Sequence, residues 1–156
     1  MRALGIDYGQ KRIGLALSDA SGLLARPWKT IARIGNPPQV ARAIAREVEL
    51  LAGTDEAVQV IVLGLPRRLN GASNEQTASV EGIATLLRTL LTTPLVLQDE
   101  RLSSHEAEQR LAQRERDWRK RKEQIDAMAA AVILQDYLDT RPRRSGEEGP
   151  AEDADR

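Results

Sequence analysis

Apolar residues recur along this chain in two periods, and the switches from one to the other outline a fold. Residues 3–8, 12–18 and about 23–34 are strand-like runs separated by the turn-prone stretches GQK and DASG. Connections this short join neighbours, so the three runs predict an antiparallel meander. After Gly35, Asn36 and two prolines, Val40, Ile44, Val48 and Leu51 fall at helical spacing with arginine and glutamate between them, an amphipathic helix. Residues 57–66, AVQVIVLGLP, are nearly all apolar, as in a central strand buried on both faces. A second helix is expected over about 74–91, where Ser73 and Gln76 match a capping box, followed by a short strand over 94–98. Ser103 and Glu106 match another capping box for a helix to about 113, and 125–138 is the last and most apolar helix. Parallel strands need right-handed crossovers, so this order predicts one five-stranded mixed α/β sheet, three antiparallel strands then parallel ones, with helices on both faces.

In such sheets, sites form at the carboxyl ends of strands, and Asp7 and Glu100 both fall there. Asp7 ends an apolar strand among glycines at 5, 9 and 14, which let backbone or ligand approach; it reads equally as a turn aspartate capping its own hairpin. Glu100, in QDERLSS, is by itself an ordinary charge at a turn. Asp126 carries more information, as the lone acid in an otherwise apolar stretch, IDAMAAAVIL. Burying it costs several kcal/mol unless a cation pairs with it, and a bound metal would be such a partner; the other reading is an acid in a helix's first turn, favoured by the macrodipole. Lys122 stands one helical turn earlier.

Composition narrows the chemistry. The chain has 156 residues, 41% of them apolar, enough for one core, and no cysteine, which removes disulfides and thiolate chemistry and leaves oxygen ligands for any metal. Neither a signal peptide nor a spanning helix is expected from the start MRALGIDYG, so a cytoplasmic protein without membrane attachment is implied. Basic and acidic residues balance at 23 each, so the total charge gives no bulk attraction to nucleic acid. Locally, however, Arg110, Arg114, Arg116, Arg119, Lys120, Arg121 and Lys122 make a basic patch. Residues 140–156, rich in charge and proline and nearly free of apolar side chains, read as a disordered tail beyond a domain of residues 1–139.

Taken together, DYGQKRIGLALSD, VLGLPRRLNG, DERLSS and KRKEQIDAMAAAVILQDYL resemble the four motifs of the YqgF family, also called RuvX, in order over about residues 1–139. The resemblance implies a ribonuclease H-like fold, kinship with the Holliday junction resolvase RuvC, and a metal-dependent nuclease that trims pre-16S ribosomal RNA or cuts branched DNA. It assigns Asp7, Glu100 and Asp126 as the acidic triad. Such a triad suits two-metal phosphoryl chemistry, in which hard oxygens hold two Mg²⁺ or Mn²⁺ ions about 4 Å from each other. Unlike RuvC-like enzymes, the strand ending in GLPRR offers no carboxylate and the second acid comes from the next strand, about 10 Å from Asp7 at about 4.8 Å per strand. One tight metal and a second that arrives with substrate phosphate is the expectation, Lys122 covering part of the missing charge.

Substrate grip falls to cations and loops. Lys11 and Arg12 follow the first strand in a hairpin; Arg67, Arg68, Asn70 and Gly71 form a polar loop leading to a helix N-terminus; Arg101 follows Glu100. Trp118, among arginines and lysines, is placed to stack on an unpaired base or to fold the basic insert onto the core. His105 reads as an ordinary surface residue. An ATPase or sugar kinase of the actin-like superfamily is the nearest enzymatic rival, but this chain lacks a second glycine-rich phosphate loop; a non-catalytic module that binds ribosomal precursor or a protein partner is the rival from another class. RNA and junction cutting need the same metal site. A junction demands two sites on a two-fold axis, and the helices carry no clear dimer stripe, leaving monomer and homodimer both open.

Overall fold

The computed structural model describes residues 1–66, 73–99 and 118–141, with side chains from 125 onward in the last stretch. Its strands are β1 (Ala3–Tyr8), β2 (Arg12–Ser18), β3 (Ala25–Ala32), β4 (Val60–Leu65) and β5 (Leu95–Asp99), and its helices α1 (Pro37–Leu51), α2 (Glu75–Leu90) and α3 (Trp118–Thr140). They form one sheet in the order β3-β2-β1-β4-β5. The β1–β2 and β2–β3 pairs are antiparallel, β1–β4 and β4–β5 parallel, which is the mixed sheet the sequence predicts. β4 lies inside the sheet and is buried at every position, as its unbroken apolar run requires.

Alternation along β1 and β4 sends side chains to two separate cores. Leu4, Ile6, Ile61 and Leu63 pack under α1 and α2 through Ile44, Val48, Ile83 and Leu87. Ala3, Ala16, Val60 and Val62 pack under α3 through Ala130, Ile133 and Leu134. The α3 side is built from small residues, and two glycines let the helix sit almost on the strands. A Cβ at Gly5 would lie 2.7 Å from Leu134 Cβ and 2.8 Å from the Ala130 carbonyl oxygen; one at Gly14 would lie 1.9 Å from the Asp126 carbonyl oxygen. Helix backbone therefore occupies the space where strand side chains would stand.

Several boundaries differ from those expected. β3 is shorter at both ends, because the Asp19 carboxylate accepts the N–H groups of Leu23 and Leu24 at 2.9 and 3.3 Å and holds them in a turn, while Ile34 is exposed beyond the other end. α1 begins at Pro37, capped by Asn36 and Gln39 in a reciprocal capping box. In α2 the cap is Asn74, not Ser73: the Asn74 side chain accepts the Thr77 N–H and the Thr77 hydroxyl accepts the Asn74 N–H. α3 begins at Trp118, so part of the expected basic insert is helix, and it runs to Thr140, whose hydroxyl donates to the Asp136 carbonyl at 2.7 Å. The expected helix over 103–113 lies outside the described residues. Among the described residues no helix is long and apolar enough to cross a membrane.

Candidate active site

Asp7 is the penultimate residue of β1 and pairs with Gly14 of β2. It shares the α3 face with Gly5, two residues earlier on the strand. The backbone of Asp126 lies against Gly14. A missing side chain on β2 thus brings a helix carboxylate to the strand neighbour of Asp7. Asp7 and Asp126 both line a cleft of about 260 Å³ at the carboxyl end of β1. The rest of its wall comes from the turn after β1, through Tyr8, Gly9 and Gln10, from Arg33 just past β3, and from Pro66 with Gln76, Ser79 and Val80 of α2.

Asp126 already has a cation. Arg12 Nε lies 2.7 Å from its Oδ2, with the two side chains 50% and 20% exposed. Of the two readings of Asp126, a buried carboxylate in want of a partner and an acid in a helix's first turn, the structure shows neither: it is partly open, compensated by Arg12, and stands two turns inside α3. An ion pair this exposed contributes at most about 1 kcal/mol, so it positions the carboxylate more than it stabilises the fold. Arg12, expected to grip phosphate, is here committed through one nitrogen to the site itself.

Tyr8 and Arg33 close the other side. The Arg33 guanidinium stacks over the Tyr8 ring at 4.2 Å and donates to the Gly9 carbonyl at 3.0 Å, while its backbone N–H donates to the Lys11 carbonyl. Burial pushes the Tyr8 hydroxyl above its usual pKa and Arg33 opposes that shift, leaving a neutral phenol at physiological pH. Lys11 is exposed in the same turn. Sequence reasoning missed Tyr8, Gln10, Arg33 and Ser79. Arg33 was hidden in a segment read as strand, and its only local signal is the break ARIGNPP that follows.

The base of the loop leading to α2 is held by Thr77, which is 1% exposed. Its hydroxyl donates to the Pro66 carbonyl and accepts the Asn74 N–H, joining the end of β4 to the helix cap. Thr77→Val, nearly isosteric, is expected to cost about 1 kcal/mol or more by leaving partly buried backbone groups of Pro66 and Asn74 without partners, read as a lowered midpoint in urea unfolding. An unchanged midpoint would mean that solvent reaches these groups.

Glu100, Arg101, His105, Arg67, Arg68, Asn70 and Gly71 lie outside the described residues. Asp99, immediately before Glu100, ends β5 on the same edge of the sheet as Asp7 and two strands away, about 10 Å at the usual spacing. Trp118 and Lys122 fall in the opening turns of α3, Lys122 one turn before Asp126. Among the described residues no three metal-ligating side chains converge. Two carboxylates on one cleft, with only oxygen donors between them, suit a hard divalent cation in part.

A family described as "RuvX: Holliday junction resolvase" matches residues 1–140. A Chloroflexus aggregans protein named "Putative pre-16S rRNA nuclease" is 42% identical over 138 residues, 88% of this chain and 93% of its own. One of the same name from Anaeromyxobacter dehalogenans is 43% identical over 141 residues, 90% of this chain and 98% of its own. Among solved structures, Thermus thermophilus RuvC in complex with a Holliday junction substrate superposes with a TM-score of 0.52 at 17% identity, covering 89% of this chain and 95% of that one. At that identity the likeness concerns the fold, which is ribonuclease H-like, as the motifs implied. The sequence match reaches further than the fold: this chain belongs to the RuvX family of nucleases.

Proposed function

We propose that the protein is a divalent-metal-dependent nuclease that trims the 5′ end of pre-16S ribosomal RNA in the cytoplasm, with Asp7, Glu100 and Asp126 as its catalytic, metal-holding carboxylates. The observation that carries this reading is the meeting of Asp7 and Asp126 on one cleft, arranged by α3 lying on Gly14. Mg²⁺ or Mn²⁺ bound there supplies an activated water and a counter-charge for the leaving oxygen. The chain's own residues do the rest. Asp7 and Asp126 offer hard oxygens from two rigid elements, a strand and a helix. Arg12 orients Asp126 through Nε and keeps its terminal nitrogens for phosphate. Lys11, Arg67, Arg68, Asn70, Arg101, Trp118 and Lys122 supply the remaining grip on RNA. The nuclease unit is residues 1–139, followed by the charged tail 140–156, as monomer or homodimer.

Relatives named for pre-16S rRNA favour RNA as the substrate, and the family description supports branched DNA as the second reading. The experiment sets the full chain with Mn²⁺ or Mg²⁺ against two labelled substrates, a pre-16S 5′-leader RNA and a four-way DNA junction. Expected is metal-dependent cutting of the RNA, at least about tenfold faster than of the junction. Symmetric junction cutting with dimer formation would replace the RNA reading, and binding without cutting of either would leave a non-catalytic module.

A further inference from the structure

Three cations surround the turn after β1, and they are not equivalent. Lys11 is exposed, and Arg12 is paired with Asp126. Arg33 is anchored instead by neutral groups, the face of Tyr8 at 4.2 Å and the Gly9 carbonyl at 3.0 Å. Arg12 pairs with Asp126, Arg26 with Glu56 and Lys29 with Glu47, whereas the contacts that hold the Arg33 guanidinium are these two neutral groups. A half-buried guanidinium held at two points by neutral groups, on the wall of a cleft with two carboxylates, is pre-organised for an anion that enters beside them. Stacking fixes its plane, and the bond to Gly9 uses one nitrogen of its terminal pair, leaving the rest of the fork for phosphate oxygens.

Resting on the nuclease reading above, we propose that Arg33 on its Tyr8 platform is a phosphate subsite for the phosphodiester next to the one that is cut. Gln76 and Ser79 of α2 line the same cleft and add neutral polar groups to it. The division of labour follows from charge. Arg12 balances the carboxylates, while Arg33 holds the neighbouring phosphate and so registers the scissile bond over Asp7. Tyr8 is a positioning residue, acting through Arg33.

The test measures binding of the full chain to a single-stranded pre-16S leader RNA by fluorescence anisotropy in EDTA, where nothing is cut, across a range of KCl. Arg33→Gln keeps a donor but loses the charge. It is expected to weaken binding about tenfold, the loss of one charge-assisted contact, and to reduce the slope of log K against log[salt] by about 0.7, one single-strand phosphate. Arg33→Lys should keep the slope and lose part of the affinity. Tyr8→Phe should behave as wild type, and Tyr8→Leu should resemble Arg33→Gln in affinity. Urea midpoints measured in parallel identify any variant that fails to fold, and Tyr8→Leu against Tyr8→Phe then decides. An unchanged slope and affinity in a folded Arg33→Gln protein that still belongs to an RNA-cutting wild type overturns the subsite alone. A wild type that neither binds nor cuts nucleic acid overturns the nuclease reading and the subsite with it.

Discussion

Asp7→Asn is expected to leave a folded protein that binds RNA and cuts it about 10³-fold more slowly, as when several kcal/mol of transition-state charge stabilisation is lost. The substitution keeps the shape of the side chain and the turn that follows, in which the Gly9 N–H donates to the Asp7 carbonyl at 3.1 Å, a backbone contact indifferent to the side-chain charge. The rate should collapse in a protein that a urea midpoint, measured in parallel, shows to be folded. Calorimetry with Mn²⁺ on the free wild-type protein should give one tight site, absent in Asp7→Asn. Cutting that persists in the variant would remove Asp7 from the chemistry. Two tight sites in the wild type would mean that three carboxylates suffice without substrate phosphate. Asp126→Asn should lose activity comparably, but with a small shift in stability, since an exposed pair with Arg12 contributes at most about 1 kcal/mol.

How much of this was legible beforehand depended on the range of the interaction involved. β1, β2, β4 and the buried face of α1 were readable because a period of two, an unbroken apolar run and a spacing of three to four are local records of burial. The start of α3 was not. Trp118 to Lys122 has no apolar stripe, yet arginine and lysine are good helix formers, so the helix continues past the point where its hydrophobic signal stops. The cap of α2 moved from Ser73 to Asn74 because Thr77, not Gln76, reaches back to the cap N–H, a choice between adjacent residues that pattern alone leaves open. Motif resemblance marked Asp7 and Asp126 as partners, but the Arg12–Asp126 pair spans 114 residues, and no spacing rule connects such positions. Arg33 carried no signal beyond the break ARIGNPP until β3 was seen to end before it and the Tyr8 ring was found beneath it.

The glycines of β1 and β2 connect packing to chemistry, and Gly14→Ala tests that connection directly. The added Cβ would sit 1.9 Å from the Asp126 carbonyl oxygen and 2.9 Å from the Ala127 nitrogen, both helix backbone, so no side-chain rotation relieves it. Either α3 shifts off the sheet or the strand bends. Overpacking of a core costs typically about 1–3 kcal/mol, and a clash with backbone belongs at the upper end. The expected result is a urea midpoint lowered by about 3 kcal/mol of stability at unchanged m-value, together with a loss of cutting larger than the unfolded fraction explains, because Asp126 moves with its helix while Asp7 stays on its strand. Gly5→Ala supplies the contrast. Its Cβ would meet Leu134 Cβ at 2.7 Å and the Ala130 carbonyl oxygen at 2.8 Å, one turn or more farther along α3 from Asp126. It should destabilise the protein similarly but spare more of the activity per molecule folded. Equal specific activities in the two folded variants would mean that the helix moves as one body, and the registration of Asp126 over Gly14 would then lie in the whole of α3 rather than in the missing side chain at position 14.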